Sequence, residues 1–347
     1  MPHRTLFVSS AVLLCLRVAA FAQPALPPEI VGVESPLTDA QSQKIDQFIR
    51  PRVERLLNSE ANEEVVEAKN ELLGPFDRGG TTFFLRGYSS NLTGALTALK
   101  ALDEIRRVEV RLNVMILASR LIDPGAIRVI ELGLGDPSAG PRYWAAVAAG
   151  RLGPNLDLNS RRTLLRALSD ALRDEQSQPV VVKLLLALGQ LDIPEAVAQL
   201  MGALNDRVDV HASNPELSTD AEYQAILPPY ISLVRAAERP AFGQDTLREM
   251  VLVGFRYFVL SAQHVNNQDL GHAVRQDYQN MLELMNNLLL QAAPKLHKNA
   301  NLPADANQAI KARNWMVVNV RVQEWKKLLL HEPFSFKPQE LAIGTEE

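Results

Sequence analysis

Apolar residues recur along most of the chain at spacings of three and four, which places them on one side of an α-helix. The spacing is clearest in residues 124–136, 194–206 and 269–292. Residues 81–85 (TTFFL) have strand-like side chains, but the helical spacing that follows them favours a helix there as well. Prolines, glycines and short polar runs separate these stretches. The pattern therefore predicts an all-α protein.

Residues 124–136 and 194–206 are two copies of one motif, 70 residues apart. Their apolar positions correspond in pairs: Ala126 and Ala196, Ile127 and Val197, Ile130 and Leu200, Leu134 and Leu204. A third copy, which lacks the opening proline, comprises Leu165, Leu168, Leu172 and Asp174. Self-similarity at such spacings is typical of stacked helical repeats.

A second set of similar positions supports the same prediction. Three triplets each end a predicted helix: Ser119-Arg120-Leu121, Gly150-Arg151-Leu152 and Gly189-Gln190-Leu191. A proline follows each triplet within three residues. Between the first two lies RYWAAVAAGRL, in which Trp144 and Val147 belong to a predicted apolar stripe, while alanines and Gly150 would let neighbouring helices approach closely. Such a helix suits the interior of a helix stack.

Residues 129–153, VIELGLGDPSAGPRYWAAVAAGRLG, resemble the HEAT repeat family. That family commonly has an aspartate in the turn between its two helices and a basic residue early in the second helix. In this chain those residues would be Asp136 and Arg142. The resemblance covers about residues 90–206 and implies a short, right-handed α-solenoid.

The other copies depart from the HEAT pattern. Asp174 has no arginine six residues later, and Asp206 is followed by a polar run without a recognisable second helix. The tetratricopeptide repeat is the nearest alternative family. Its repeat length is more strictly conserved, at about 34 residues, and its tryptophan and tyrosine pattern is missing here. The fold expected from the sequence is thus a short HEAT-like α-solenoid with longer capping helices at the C-terminal end.

This interpretation divides the chain into seven segments. They are a signal peptide at 1–22, a proline-rich leader at 23–37, N-terminal helices at 38–80, a repeat core at 81–206, a polar loop at 207–220, C-terminal capping helices at 221–332 and a flexible tail at 333–347. Within the capping helices, Pro228 and Pro229 are expected to divide residues 221–238 into two pieces. Residues 303–330 are expected to form the last helix.

The first 22 residues have the features of an export signal. Arg4 precedes an apolar stretch at 6–16, and Ala20 and Ala22 form a small-x-small cleavage site. Cleavage after Ala22 would remove Cys15, the only cysteine, so no disulfide is expected. No later stretch has the uninterrupted apolar length of a membrane span. We therefore expect a periplasmic or secreted protein.

The charge and the absence of familiar motifs narrow the function. A net charge of -4 provides no basic field for nucleic acid. The sequence has no nucleophile elbow, phosphate-binding glycine loop, HExxH helix or EF-hand loop, so no enzyme, cofactor or metal is expected. One alternative is an enzyme or metal site around His264, Asp269 and His272, although their spacing is not a recurring ligand pattern. Another is a structural envelope component that self-associates through an open repeat edge.

Arginine provides the main candidate for binding. Between residues 100 and 183, eleven arginines and two lysines outnumber ten acidic residues. Arg107, Arg111 and Arg142 are expected on second helices, which line the concave face of HEAT-like proteins. With Tyr143, they are predicted to bind acidic segments of a protein partner. The alternative is that such arginines stabilise helix ends, or that Arg142 pairs with Asp136 across the turn. The leading hypothesis is an exported, non-enzymatic scaffold that binds a protein partner through its concave face.

Overall fold

The computed structural model describes residues 26–98, 107–236 and 242–344. Across these residues all regular structure is helical, with sixteen α-helices, one 3₁₀ turn at Gly153–Asn155 and no β-strand. The all-α prediction is therefore confirmed. No helix in these three ranges has the combination of length and apolar character that crossing a bilayer requires. The predicted signal peptide at 1–22 lies outside the described residues.

The chain forms two compact units, Met1–Gly125 and Ala126–Glu347. The described helices of the first unit are α1 (Pro28–Val31), α2 (Asp39–Asn58), α3 (Asn62–Asp77), α4 (Thr82–Thr97) and α5 (Val108–Ala118). Helix α2 packs on α3 and α4, and α3 packs on α5. Tyr88 of α4 is fully buried in this unit and donates a hydrogen bond to the main-chain oxygen of Leu72, at 2.9 Å.

The second unit contains the remaining eleven described helices. They are α6 (Ala126–Leu134), α7 (Ala139–Leu152), α8 (Leu158–Asp174), α9 (Gln178–Gln190), α10 (Pro194–Ser213), α11 (Asp220–Arg235), α12 (Gln244–His264), α13 (His272–Leu296), α14 (Asn307–Lys311), α15 (Trp315–Leu330) and α16 (Pro338–Leu341).

Helices α6 to α13 pack in two alternating sets. We call α6, α8, α10 and α12 the first helices, and α7, α9, α11 and α13 the second helices. The second helices pack in chain order, α7 on α9, α9 on α11 and α11 on α13. Among the first helices, α6 packs on α8 and α10 on α12. Each first helix also packs on the second helix that follows it.

The three motif copies lie in three successive first helices, α6, α8 and α10. All four apolar pairs shared by residues 124–136 and 194–206 are buried, as are Leu165 and Leu168 of the third copy. The repeated positions are therefore core positions. Burial of the same positions in the first and last copies explains why the motif is apolar there, whereas Leu172 of the third copy is only half-buried.

The polar loop predicted at 207–220 is wrong over its first half. Helix α10 continues to Ser213. Val208 and His211 follow Leu204 at spacings of four and three, and all three side chains are fully buried. A continuous buried stripe therefore holds this polar stretch in a helix, although most of its other residues are exposed.

The division predicted at Pro228 and Pro229 is also wrong. Helix α11 runs unbroken from Asp220 to Arg235 and packs on α9. It is therefore the second helix of the motif copy that ends at Asp206, which the sequence pattern does not predict. Proline costs a helix one main-chain hydrogen bond. Burial of Ala225, Ile226 and Leu233 on both sides of the prolines offsets that cost. Conversely, residues 303–330 form two helices rather than one, α14 and α15.

The predicted leader and tail are both packed in their described parts. In the leader, α1 forms a helical turn in which Ile30 is buried. In the tail, Phe334 and Phe336 are buried, and Arg248 of α12 donates to the main-chain oxygen of Phe334 at 3.0 Å. Arg256 of α12 donates to the main-chain oxygen of Ala342 at 2.9 Å. The flexible tail is therefore not observed over 333–344.

Candidate functional site

A band of half-buried and exposed apolar side chains follows three successive second helices. We call it the second-helix face. It comprises Tyr143, Trp144 and Val147 of α7, Val182 and Leu186 of α9, and Tyr223, Leu227, Tyr230, Ile231 and Val234 of α11. Ile231 and Val234 are the most open of these, at 37% and 44% exposure. On each of the three helices these residues recur at helical spacing, on the side opposite to the buried residues of that helix.

The apolar stripe predicted for α7 is reversed in the structure. Trp144 and Val147 are only half-buried, whereas Ala145, Ala149 and Gly150 are buried. The small residues form the buried side because α6 and α9 both pack closely on α7. The larger side chains therefore remain at the surface, where they are available for a partner.

Two glycines that the sequence places 39 residues apart bring the second helices together. A Cβ at Gly150 would lie 3.4 Å from the Cα of Ala187 in α9, and a Cβ at Gly189 would lie 3.2 Å from the carbonyl carbon of Ala225 in α11. The same 39-residue register pairs Tyr143 with Val182 and Val147 with Leu186. Close approach at the glycines thus aligns the apolar side chains of adjacent helices on one face.

Tyr143, one of the predicted binding residues, lies within this face. Its ring meets that of Trp144 edge-on, with centroids 5.8 Å apart and an interplanar angle of 75°. The Lys183 ammonium of α9 lies 5.4 Å from the centroid of Tyr143. A cation above an aromatic ring is attracted by the ring's electrons. The contact between Tyr143 and Lys183 therefore links α7 and α9, and Lys183 places a positive charge beside the apolar surface.

Arg142 is engaged within the protein. Its Nε and Nη2 donate to the two carboxylate oxygens of Glu175 at 2.6 and 2.9 Å, and its Nη1 donates to the main-chain oxygens of Asp136 and Pro137 at 2.8 and 3.0 Å. The hydrogen bonds from Arg142 hold the pKa of Glu175 below its ordinary value, despite partial burial. This guanidinium joins the turn before α7 to the end of α8, which favours a structural role.

Arg107 and Arg111 belong to the first unit, whereas Arg142 and Tyr143 belong to the second. The guanidinium of Arg107 donates to the main-chain oxygen of Ser59 and to the side-chain oxygen of Asn62. Arg111 is half-buried in α5 and also interacts with other residues. The first of these two arginines thus fastens the start of α5 to the start of α3.

The alternative site around His264 is not assembled as a ligand set. The His264 ring stacks on Tyr278, with centroids 5.2 Å apart, and burial followed by the charge of His211 lowers the pKa of His264. Asp269 and His272 are both exposed. Within the described ranges, no three histidine, cysteine or acidic side chains are placed to hold a metal ion together.

The second unit also contains a buried charged cluster that the sequence did not reveal. Glu222 of α11 is fully buried, accepts a hydrogen bond from Nε of Arg207 in α10, and lies 3.0 Å from Nε2 of His211. The side chain of Tyr257 in α12 is also fully buried, and its ring centroid lies 6.2 Å from that of His211. The remaining oxygen of Glu222 and the Tyr257 hydroxyl have no hydrogen-bond partner among the described protein atoms.

Glu222 and His211 of this cluster are placed to stabilise the fold rather than to meet a substrate. The side chains of Glu222 and His211 have no exposed surface, and only Arg207 reaches solvent, at 13% side-chain exposure. Arg207 and His211 lie four residues apart, on one side of α10. In a helix this spacing indicates that two side chains lie close together, but the sequence pattern predicts a loop at 207–220.

The stability contributed by Glu222 is expected to depend on pH. Burial alone would raise the pKa of this carboxyl, but the close approach of His211 and the charge of Arg207 lower it below its ordinary 4.5. In the pH range between the two pKa values the unfolded chain binds more protons, so stability falls as pH falls there. We expect the difference in urea midpoint between wild type and Glu222→Gln to have its full size above pH 4.5 and to become smaller below that pH. An unchanged difference at pH 3.5 would contradict this linkage.

The sequence matches no protein-family model and no curated protein.

Proposed function

We propose that this chain is an exported, non-enzymatic α-solenoid of HEAT-like type that binds a protein partner through its second-helix face. The observation that carries the proposal is the recurrence of half-buried and exposed apolar side chains on the same side of α7, α9 and α11. Extended apolar surface is uncommon on monomeric proteins and typically marks an interaction site.

The solenoid part of the proposal rests on the order of helix packing. Second helices contact the next second helix from α7 to α13, and the three motif copies fall in successive first helices. Repeat proteins bury a continuous core by stacking such pairs, and they use the surface of one helix set for binding. The helices from α12 onwards would then form the capping end, because a terminal unit must cover the face that inner units share.

The composition of the second-helix face favours a partner with an apolar segment. Tyrosine and tryptophan are enriched among the residues that dominate binding energy, and the face has three tyrosines and one tryptophan. An acidic residue beside that segment would complement Lys183, which lies over the ring of Tyr143. We therefore place the contact with acidic segments at Lys183 rather than at Arg142, which already binds Glu175.

The double variant Ile231→Glu with Val234→Glu tests the face. Both side chains are exposed, at 37% and 44%, so the fold should tolerate the change. Two carboxylates in the apolar band should reduce partner capture by about tenfold or more, because burying an unpaired charge against an apolar partner costs several kcal/mol. Capture from the exported fraction, followed by binding measurements with the isolated partner, gives the readout.

A matched control places the same change on first helices. Leu132 of α6 and Leu158 of α8 are exposed at 39% and 50%, so Leu132→Glu with Leu158→Glu adds equal charge at similar exposure. This control should capture the partner as the wild type does. Equal capture by both folded double variants would reject the second-helix face as the binding surface.

A further inference from the structure

A groove separate from the second-helix face lies between the first helices α8 and α10. It encloses about 600 Å³, and the second helix α9 forms its floor. Sites for small molecules commonly have volumes of roughly 300–1,000 Å³. The groove therefore has room for a ligand of ordinary size.

The groove has an aliphatic floor. Val181, Leu185 and Leu188 line it from α9, and Leu172 lines it from α8. On the wall formed by α10, Gly202 and Ala203 are small, and Gln199 lies beside them. Gly202 occupies the motif position at which the first copy has Leu132, and a Cβ at 202 would meet no atom within 4 Å. The α10 wall therefore has room for a larger side chain at position 202.

One end of the groove is rich in hydrogen-bond donors. Arg207 gives its Nε to Glu222 and its Nη1 to the side-chain oxygen of Gln178 at 3.2 Å, which leaves Nη2 without an acceptor among the described residues. Because Arg207 occupies the amide oxygen of Gln178, the amide NH₂ group of Gln178 remains as a donor. Asn205 lies two positions from Arg207, on the other side of α10, where its side-chain oxygen accepts a hydrogen bond from Arg256 of α12 at 2.7 Å.

The acidic groups at this end are mostly neutralised. Glu175 is paired with Arg142, and it also accepts the main-chain N–H of Ser177 at 2.8 Å. Glu222 lies behind Arg207 and is paired with it. Asp206 also lines the groove, but it is exposed at the rim. An anionic group at this end of the groove would therefore meet Arg207 and the amide NH₂ group of Gln178.

We propose that this groove binds an aliphatic carboxylate, with its hydrocarbon chain on the floor of α9 and its carboxylate at Arg207 and Gln178. The aliphatic floor selects a chain of several methylene groups. The donor-rich end selects an oxyanion over an alcohol, because charge-assisted hydrogen bonds are about twice as strong as neutral ones. The proposal is independent of partner binding, because it uses the first-helix side of the second unit.

Calorimetric titration of the full chain with decanoate tests this proposal, with decanol and butyrate as comparison probes. Decanoate should bind, and butyrate and decanol should each bind at least about tenfold more weakly, because each lacks one of the two recognised features. Absence of decanoate binding would overturn the proposal. Decanol binding as tight as that of decanoate would also overturn it.

A glycine pair provides the matched variants. Gly202→Leu places an aliphatic side chain in the groove and should weaken decanoate binding by about tenfold or more, because the ligand and the leucine would occupy the same space. Gly94→Leu makes the same change in α4 of the first unit, where a Cβ also meets no atom within 4 Å, and should leave binding unchanged. Thermal unfolding confirms that both variants fold. Equal decanoate affinity in the two variants would place the ligand outside the groove.

Discussion

Glu222→Gln should destabilise the folded protein by about 3–5 kcal/mol, which is the typical cost of removing one partner from a buried ion pair. The carboxylate is fully buried and serves both Arg207 and His211. Glutamine has nearly the same shape, so the loss would come from charge rather than from a cavity. Arg207 would then remain largely buried without a counter-charge. Urea denaturation at neutral pH, followed by circular dichroism, measures the change.

Glu195→Gln is the matched control for this experiment. Glu195 pairs with Arg162 at 2.7 Å, but the two side chains are 46% and 50% exposed. Solvent and salt screen such a pair, so its loss should cost no more than about 1 kcal/mol. The two substitutions are chemically identical and differ only in burial. Equal destabilisation by both would show that the buried cluster contributes no more than a surface pair.

Gly189→Ala should destabilise the protein by about 2–3 kcal/mol, although alanine normally favours a helix over glycine. The new Cβ would fall well inside van der Waals contact of the main-chain oxygen of Ala225, and 3.2 Å from its carbonyl carbon. Main-chain atoms of a packed helix cannot rotate away as the end of a side chain can. The helices α9 and α11 would therefore have to move apart. Denaturant midpoints report the loss.

Two other glycines provide a graded comparison. At Gly150 the new Cβ would meet chiefly the end of the Gln190 side chain, which can move, so Gly150→Ala should cost less. At Gly202 it would meet no atom within 4 Å, so Gly202→Ala should stabilise the helix by roughly 0.5–1 kcal/mol. A gain in stability at Gly189 would contradict the close approach of the two helices.

The glycines of the repeated triplets show how much of the helix packing a sequence pattern predicts. Gly150 and Gly189 were recognised from sequence as equivalent helix ends, and both lie where second helices approach closely. Their equivalence is visible because close helix packing requires a small residue in each copy. The sequence does not show which side of α7 its neighbours cover. It therefore predicts Trp144 on the buried side, whereas the structure leaves this side chain half-buried.

The buried charged cluster and the donor-rich end of the groove could not be predicted. Arg207 and Glu222 are 15 residues apart and lie on different helices. Polar residues in 206–220 suggested a loop, because local composition does not show that Val208 and His211 are buried. Arg142 was likewise a candidate for partner binding until its acceptor, Glu175, proved to lie 33 residues away at the end of α8.

The sequence by itself determined that the described chain is helical, which positions repeat, and that the paired apolar positions of residues 124–136 and 194–206 are buried. These properties depend on spacing along one helix, which is a local quantity. Only the tertiary structure decided where the charges pair, which helices pass through prolines, and which apolar side chains remain at the surface of α7, α9 and α11. Those properties depend on contacts between helices that are distant in the chain. Where a helix has apolar residues on two sides, its sequence does not show which side a neighbouring helix covers.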